Sequence, residues 1–142
     1  KETHGRWYVI GIDLADHQLK TFGLDRIACL TIKQERFRKD PTIDIQERFR
    51  HSLTVDMADK VEHIVFSVGA SDAAYLKTMP IHPSQRIVRE TSQRTAFSLD
   101  VYLTPDVVME LLSRAQTLRI EEPEYLRNQI LKIYETGLHL NS

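Results

Sequence analysis

The second half of the chain carries the clearest alternation of apolar and polar positions. Between Val61 and Val68 one face is strongly apolar, which is typical of a strand packed on a core. Turn residues and prolines divide the remainder of this half, and Thr104 followed by Pro105 is a helix start. We predict strands at 61–68, 86–91, 95–103 and 118–120, and helices at 72–78 after an N-cap at Ser71, from Pro105, and from Pro123 onward. The order βαββαβα predicts an α+β, ferredoxin-like layer of antiparallel sheet with helices on one face.

The first half predicts a β-hairpin. Residues 6–13 and 20–33 are rich in β-branched and aromatic residues, and a polar turn near Ala15, Asp16 and His17 separates them. In the second strand, which we expect to continue to Ile32, alternation places one set of side chains on the same face: Lys20, Phe22, Leu24 and Arg26. Two cations therefore flank two apolar residues.

A basic run and a connector come after the hairpin. Residues 33–39 hold four cations and one acid, which predicts a solvated loop or, alternatively, a phosphate-contacting edge. Asp40 and Pro41 begin the connector, and 43–49 can form a short helix. The best boundary between domains lies at 57–60, which gives domains at 1–57 and 61–142.

Composition limits the class of protein. The hydrophobic fraction of 42% and charged fraction of 27% are ordinary for a globular protein, and no apolar run approaches the ~20 residues of a membrane span. The single cysteine, Cys29, allows no internal disulfide, and no signal peptide is evident, so we expect a cytoplasmic protein. A net charge of −1 means that any contact with nucleic acid is local.

Catalytic and metal-binding patterns are missing from the sequence. The six histidines show no metal-ligand spacing, and we expect no metal, cofactor or catalytic residue. His82 and Ser84 are two apart in an extended segment, where side chains tend to diverge, so we interpret His82 as structural. Cys29, inside a predicted apolar strand, is interpreted as a buried hydrophobe.

The hairpin resembles the WYL domain of bacterial regulatory proteins. That family has Arg-Trp-Tyr-Leu, a Gly two residues on, and then Arg-x-Phe-Arg-Leu-Asp-Arg-Ile. The matching residues here are Arg6, Trp7, Tyr8, Gly11, Phe22, Leu24, Asp25, Arg26 and Ile27. Val9 stands in the Leu position, Lys20 stands for the first Arg, and Gly23 stands where the family often has a second Arg.

The second half resembles the WYL C-terminal extension, the module that commonly comes after a WYL domain. The residues that carry this resemblance are His82-Pro83-Ser84-Gln85 and Glu122-Pro123-Glu124-Tyr125-Leu126-Arg127. The two resemblances imply a partial SH3/Sm-like β-barrel, with its opening strands absent, followed by a ferredoxin-like domain. We expect this chain to be a fragment of a longer regulator with an upstream helix-turn-helix domain.

The resemblance implies a ligand-sensing regulatory function. WYL domains bind negatively charged ligands, single-stranded nucleic acid in some members, and relay occupancy to the DNA-binding domain of a regulator that is often a homodimer. From the resemblance and the hairpin pattern we predict five ligand-binding residues: Trp7, Tyr8, Lys20, Phe22 and Arg26. Two alternatives stay open, a structural dimerisation module and a sensor of a small anion such as a nucleotide.

Strand geometry sharpens the ligand hypothesis. In a straight strand the backbones of Lys20 and Arg26 lie ~20 Å apart, which suits a chain of phosphates, and Phe22 between them could stack a base. The alternative is that Phe22 and Leu24 are core and only the charged tips reach solvent. Since the hairpin cannot close a barrel alone, we also expect an open apolar edge near Trp7 to Ile12, covered by a second copy of the chain.

Overall fold

The computed structural model describes residues 1–38 and 41–142 in two compact units, Lys1–Arg50 and His51–Ser142. The chain is mixed α and β, with one three-stranded and one four-stranded antiparallel sheet, and neither sheet closes into a barrel among the described residues. The α+β prediction is therefore confirmed. Lys39, the end of the predicted basic run, and Asp40, the start of the predicted connector, lie outside the described residues.

The first unit is a short sheet followed by irregular chain. Its elements are β1 (Glu2–Thr3), β2 (Arg6–Ile12), β3 (Leu19–Gly23), a one-turn 3-10 helix (Leu24–Arg26) and α1 (Ile45–Arg48), and the strand order is β1-β2-β3. His4 and Gly5 connect β1 to β2 with positive φ at both positions, which is the geometry of a tight hairpin turn. Strand β1 was not predicted from the sequence.

Side-chain hydrogen bonds stabilise the turn between β2 and β3 and the start of α1. Asp13 Oδ1 accepts from the Ala15 N–H at 2.9 Å, and Asp16 Oδ1 accepts from the Gln18 N–H at 3.0 Å, so the predicted turn between β2 and β3 is confirmed. Asp44 caps α1, because its Oδ1 accepts from the second and third backbone N–H groups after it.

The prediction that the second hairpin strand continues to Ile32 is wrong. β3 ends at Gly23, and residues 27–38 form neither helix nor strand. Leu30 and Ile32 are 80% and 95% exposed, because no strand within the described residues pairs with them. Cys29 is exposed with φ of 54°, so its interpretation as a buried strand residue is also wrong.

The second unit has the predicted order of elements. These are β4 (Val61–Gly69), α2 (Ala70–Thr78), β5 (Arg86–Glu90), β6 (Arg94–Tyr102), α3 (Pro105–Leu112), β7 (Arg119–Glu122) and α4 (Glu124–Asn141). The four strands are antiparallel in the order β5-β6-β4-β7. The helix predicted after an N-cap at Ser71 begins instead at Ala70, with Gly69 in the capping position and no side-chain cap.

One core holds the second unit together. Alternate residues of the inner strands β4 and β6 face the helices, and Phe66 and Phe97 stack there with ring centroids 5.8 Å apart. The largest fully buried side chains are Phe66, Phe97, Ile64, Leu76, Leu99, Leu111, Leu126, Val68, Val101 and Val107. The strongly apolar face predicted for residues 61–68 is the face that packs in this core.

The division between the units lies before the predicted boundary at 57–60. Residues 51–55 belong to the second unit because they are bonded to it: Tyr102 N–H donates to His51 O at 2.8 Å. Thr54 Oγ1 also donates to Asp106 Oδ2 at 2.5 Å, at the start of α3. Residues 51–55 therefore pack with the part of the chain that follows them.

His82 and Ser84 converge rather than diverge, because their segment turns toward Asp100 on β6. Ser84 Oγ lies 2.8 Å from His82 Nδ1, and the Ser84 N–H donates to the same nitrogen at 3.1 Å. Ser84 Oγ also accepts from the Asp100 N–H at 3.0 Å and donates to Asp100 O at 3.2 Å. His82 is buried, so this arrangement is a structural clamp between the segment before β5 and the centre of β6.

We expect Ser84→Ala to destabilise the second unit by about 1–3 kcal/mol, because the Asp100 N–H loses its hydroxyl partner in a partly buried position. Urea unfolding measures this change. Ser92→Ala is the matched control, since Ser92 is exposed in the turn between β5 and β6 and should change stability by less than about 0.5 kcal/mol. Equal unfolding free energies for the two variants would contradict the clamp.

Candidate nucleic-acid interface

The hairpin register separates the five predicted ligand residues. Val9 lies opposite Phe22 and Gly11 lies opposite Lys20, so these side chains share a face, and Trp7 is on the same face because it is two residues before Val9. We call the surface formed by Trp7, Val9, Lys20 and Phe22 the Trp7 face. Tyr8 is opposite Gly23 and points to the other face. Arg26 lies beyond β3 in the 3-10 helix.

The apolar side chains of the Trp7 face are open to solvent. Trp7 is 61% exposed, Val9 47% and Phe22 43%, which is unusual for three apolar residues that are neighbours on one sheet face. Leu24 is 45% exposed. The alternative in which Phe22 and Leu24 belong to a core is therefore wrong for the described chain.

Lys20 is neutralised within the hairpin. Its Nζ lies 2.6 Å from Asp13 Oδ2 and 2.6 Å from Asp16 Oδ2. The hydrogen bond from Lys20 lowers the pKa of both aspartates, and the bonds to Asp13 and Asp16 raise the pKa of Lys20. The cluster carries one net negative charge when all three groups are ionised, so Lys20 is not an uncompensated cation for a phosphate.

The cluster of Asp13, Asp16 and Lys20 was not predicted from the sequence, although the spacing of its residues indicates it. Asp16 and Lys20 are four residues apart, but Asp16 is predicted above only as part of the polar turn. In the structure each aspartate uses Oδ1 for a turn N–H and Oδ2 for Lys20. Each of these two carboxylates therefore both stabilises the turn and binds the Lys20 ammonium group.

A second ion pair lies on the opposite face of the hairpin. Arg6 Nη2 donates to Asp25 Oδ2 at 2.5 Å, and the guanidinium carbon of Arg6 is 5.9 Å from the Tyr8 ring centroid. The bond from Arg6 lowers the pKa of Asp25. Gly23 is on this face, so an arginine there would not join the Trp7 face, and its absence does not subtract a phosphate contact from that face.

Arg26 is the remaining predicted cation. It is exposed, and no carboxylate within the described residues forms a salt bridge with it. Because the chain turns into a 3-10 helix after Gly23, the straight-strand separation of ~20 Å between Lys20 and Arg26 does not apply. The predicted pair of cations along one strand face is therefore absent from the described structure.

The predicted open edge begins later than expected. Tyr8 N–H donates to Lys1 O at 2.8 Å, and the Lys1 amino terminus donates to Tyr8 O at 3.0 Å, so β1 and Lys1 cover β2 up to Tyr8. Backbone groups alternate in direction along a strand, so those of Ile10 and Ile12 point to the same side as those of Tyr8. No strand of the described chain pairs with β2 on that side beyond Tyr8.

Other classes of site are not found in the described ranges. Residues 1–38 and 41–142 contain no group of three His, Cys, Asp or Glu side chains that could hold a metal ion. Within the same ranges, no helix combines the length and the apolar character needed to cross a bilayer. No protein-family model and no curated protein matches the chain.

We expect Lys20→Gln to raise the pKa of Asp13 and Asp16 toward ordinary aspartate values, because the variant removes the cation that favours their charged forms. Both pKa values are lowered in the folded chain, so the cluster stabilises the hairpin above the ordinary aspartate pKa and loses this contribution as the pH falls. Carboxyl NMR titration measures the change.

Asp25 is the internal control for this titration, because its pKa is lowered mainly by Arg6 and should not respond to Lys20→Gln. If Asp13 and Asp16 titrate identically in the wild type and in Lys20→Gln, the lysine does not neutralise them in solution.

Proposed function

We propose that this chain is the ligand-sensing part of a bacterial transcriptional regulator of the WYL kind, and that its Trp7 face binds single-stranded nucleic acid. The observation that carries the proposal is the exposure of Trp7, Val9 and Phe22 as neighbours on one sheet face. An aromatic surface on a rigid strand pair suits unpaired bases, which stack on such side chains regardless of sequence.

The electrostatic part of the proposal rests on residues outside β3. Lys20 is engaged by two aspartates, so the phosphates meet Arg26 and the exposed cations of the next segment, which are Lys33, Arg36 and Arg38. This adopts the alternative interpretation of the basic run, as a phosphate-contacting edge rather than only a solvated loop. Because the net charge of the chain is −1, binding depends on this local group of cations.

The proposed fold assignments rest on topology. With the strands of the second unit numbered first to fourth in chain order, the sheet order is second-third-first-fourth, with helices after the first, third and fourth strands. That order supports a ferredoxin-like domain. For the first unit, the three strands support part of a small SH3/Sm-like barrel, as the resemblance implies. We further propose that the ligand state of these units controls an upstream DNA-binding domain.

The only tryptophan of the chain lies on the proposed surface, so its fluorescence reports binding directly. We expect single-stranded oligothymidine to quench Trp7. Phe22→Ala should weaken binding by about 5- to 150-fold, the equivalent of losing one stacked base at ~1–3 kcal/mol. Arg26→Ala should reduce the salt dependence of binding by roughly one phosphate contact.

Thr21→Ala is the matched control for Phe22→Ala, because Thr21 is the adjacent residue of β3 and points to the opposite face. It should bind like the wild type. Equal affinities of Phe22→Ala and Thr21→Ala, or an unresponsive Trp7, would argue against nucleic-acid binding at this face.

A homodimerisation module is the second candidate function, and the open edge of β2 favours it. The backbone groups of Ile10 and Ile12 are aligned for an added strand, and Ile12 is 41% exposed beside them. In this alternative the Trp7 face is part of a protein interface, and a second copy of the chain adds its own β2 to the edge.

Ile10→Pro tests the dimer selectively, because the N–H of Ile10 points away from β3 and is not needed for the β2–β3 pairing. We expect the variant to remain folded and to lower the average mass measured by light scattering at high concentration. Ile10→Val is the control that keeps the N–H. A strict monomer in the wild-type chain would exclude this mode of association.

A further inference from the structure

The four-stranded sheet of the second unit packs its helices on one face. The centre of the opposite face consists of small side chains. Val65, Ser67, Ala96 and Ser98 alternate with the core residues of β4 and β6, so they point away from the core. We call these four residues the small-residue floor. Ser67 and Ala96 are only 3% and 2% exposed, although short side chains cannot cover one another on an open sheet.

A single row of paired residues crosses this face. Arg89 on β5 pairs with Ala96, Ala96 lies opposite Ser67, and Ser67 pairs with Arg119 on β7. Two arginines therefore end the row on the two edge strands, and their backbones are separated by three strand spacings, about 14 Å. Both project from the same face as the small-residue floor.

An ion pair spans the floor. Arg89 Nη2 lies 3.0 Å from Glu121 Oε1 and 3.2 Å from Oε2, although Arg89 and Glu121 come from opposite edges of the sheet. Since the helices and the core fill the other face, the pair must pass above Ala96 and Ser67. This arrangement, which we call the Arg89–Glu121 strap, explains why small residues on this face are buried.

A third arginine approaches the same point. Arg94 Nη2 donates to Ser67 O at 2.9 Å and to Thr117 O at 2.5 Å, so main-chain carbonyls hold its guanidinium. Neither Arg94 nor Arg119 has a carboxylate within 4 Å in the part of the chain that the structure describes. Three arginines therefore lie on the same face as the floor, and Glu121 is ion-paired with one of them, Arg89.

We propose that this row is a binding site for a small ligand carrying a di- or triphosphate group, with Arg89 and Arg119 as its principal contacts and Glu121 as an internal competitor. Guanidinium forks bind phosphate oxygens in pairs, as they bind carboxylates. The Glu121 carboxylate therefore occupies the place that a phosphate takes when the strap opens. Glu122, in the next row beside Val65, limits the positive charge on one side.

The dimensions favour a small ligand over a long polyanion. Arg89 and Arg119 lie at the two ends of one row, which is about 14 Å long. The next row along the sheet has Arg86 at one edge and Glu122 at the other. A nucleic-acid strand continuing along the face would pass the carboxylate of Glu122. A ligand with two or three adjacent phosphates reaches both Arg89 and Arg119 without leaving the row.

Calorimetric titration of the 142-residue chain with pyrophosphate tests the proposal. We expect measurable binding to the wild type and a threefold to tenfold higher affinity for Glu121→Gln, because the variant removes the competing carboxylate (about 0.7–1.4 kcal/mol). Arg119→Gln should lower affinity about tenfold. Amide NMR shifts of Ser67 and Ala96 should move with the same saturation curve.

Two matched controls separate the site from a general charge effect. Glu124 and Arg127 form an exposed ion pair on α4, so Glu124→Gln and Arg127→Gln repeat the same charge changes away from the floor. They should leave pyrophosphate affinity unchanged. Equal responses of Glu121→Gln and Glu124→Gln, or no binding to either the wild type or Glu121→Gln, would overturn the proposal. Arg119→Gln breaks no salt bridge among the described residues, so its melting temperature should match that of the wild type and its affinity can be interpreted directly.

Discussion

The antiparallel pairing of β4 with β6 is the constraint on which the second unit depends. Nine residues of each strand are paired in one uninterrupted register, from Val61 with Tyr102 to Gly69 with Arg94. A slip of one residue would turn Ile64 and Phe66 away from the helices and bring Val65 and Ser67 into the core. The same register decides that Ala96 and Ser67 share a row with Arg89 and Arg119. Core packing and the chemistry of the opposite face are therefore fixed by one set of backbone hydrogen bonds.

Within its described residues, the first unit has no comparable core. Among its described hydrophobic residues only Phe49 is buried, and a small sheet without a buried face is at best marginally stable in water. Polar contacts within the hairpin supply its order instead, through Asp13 and Asp16 with Lys20 and through Arg6 with Asp25. The apolar Trp7 face is left for a partner, which is why a stacking ligand and a second protein strand are both physically reasonable occupants.

The second unit could be predicted well from the sequence because its local signals agree with its tertiary contacts, as the alternation in 61–68 does with burial in one core. The same alternation failed in residues 24–32, because an apolar pattern forms a strand only where another strand is available to pair with it. The candidate sites depend on register, which local signals do not determine. Arg89 shares a face with Ala96, where it meets Glu121, because β5 shifts by one residue at Val88 and so changes the face that this charged side chain occupies. The shift in β7 at Glu121 brings Glu122 to the same face, opposite Val65. The sequence of β5 contains no glycine or proline that would indicate its shift.

Both candidate surfaces have a cation that is already paired with a carboxylate of the chain, and this affects how binding responds to salt. Counterion release occurs because cationic side chains replace the cations that are condensed on the phosphates. Lys20 and Arg89 are paired with carboxylates of the chain, so a phosphate that takes the place of a carboxylate leaves that carboxylate to attract a cation from solution, which offsets the release. The salt dependence of the binding affinity therefore reports the number of cations that have no salt bridge, such as Arg26 and Arg119. It does not report every basic residue near a ligand. A modest salt slope at either surface is compatible with direct phosphate contact, and the internal carboxylates determine the affinity by competition.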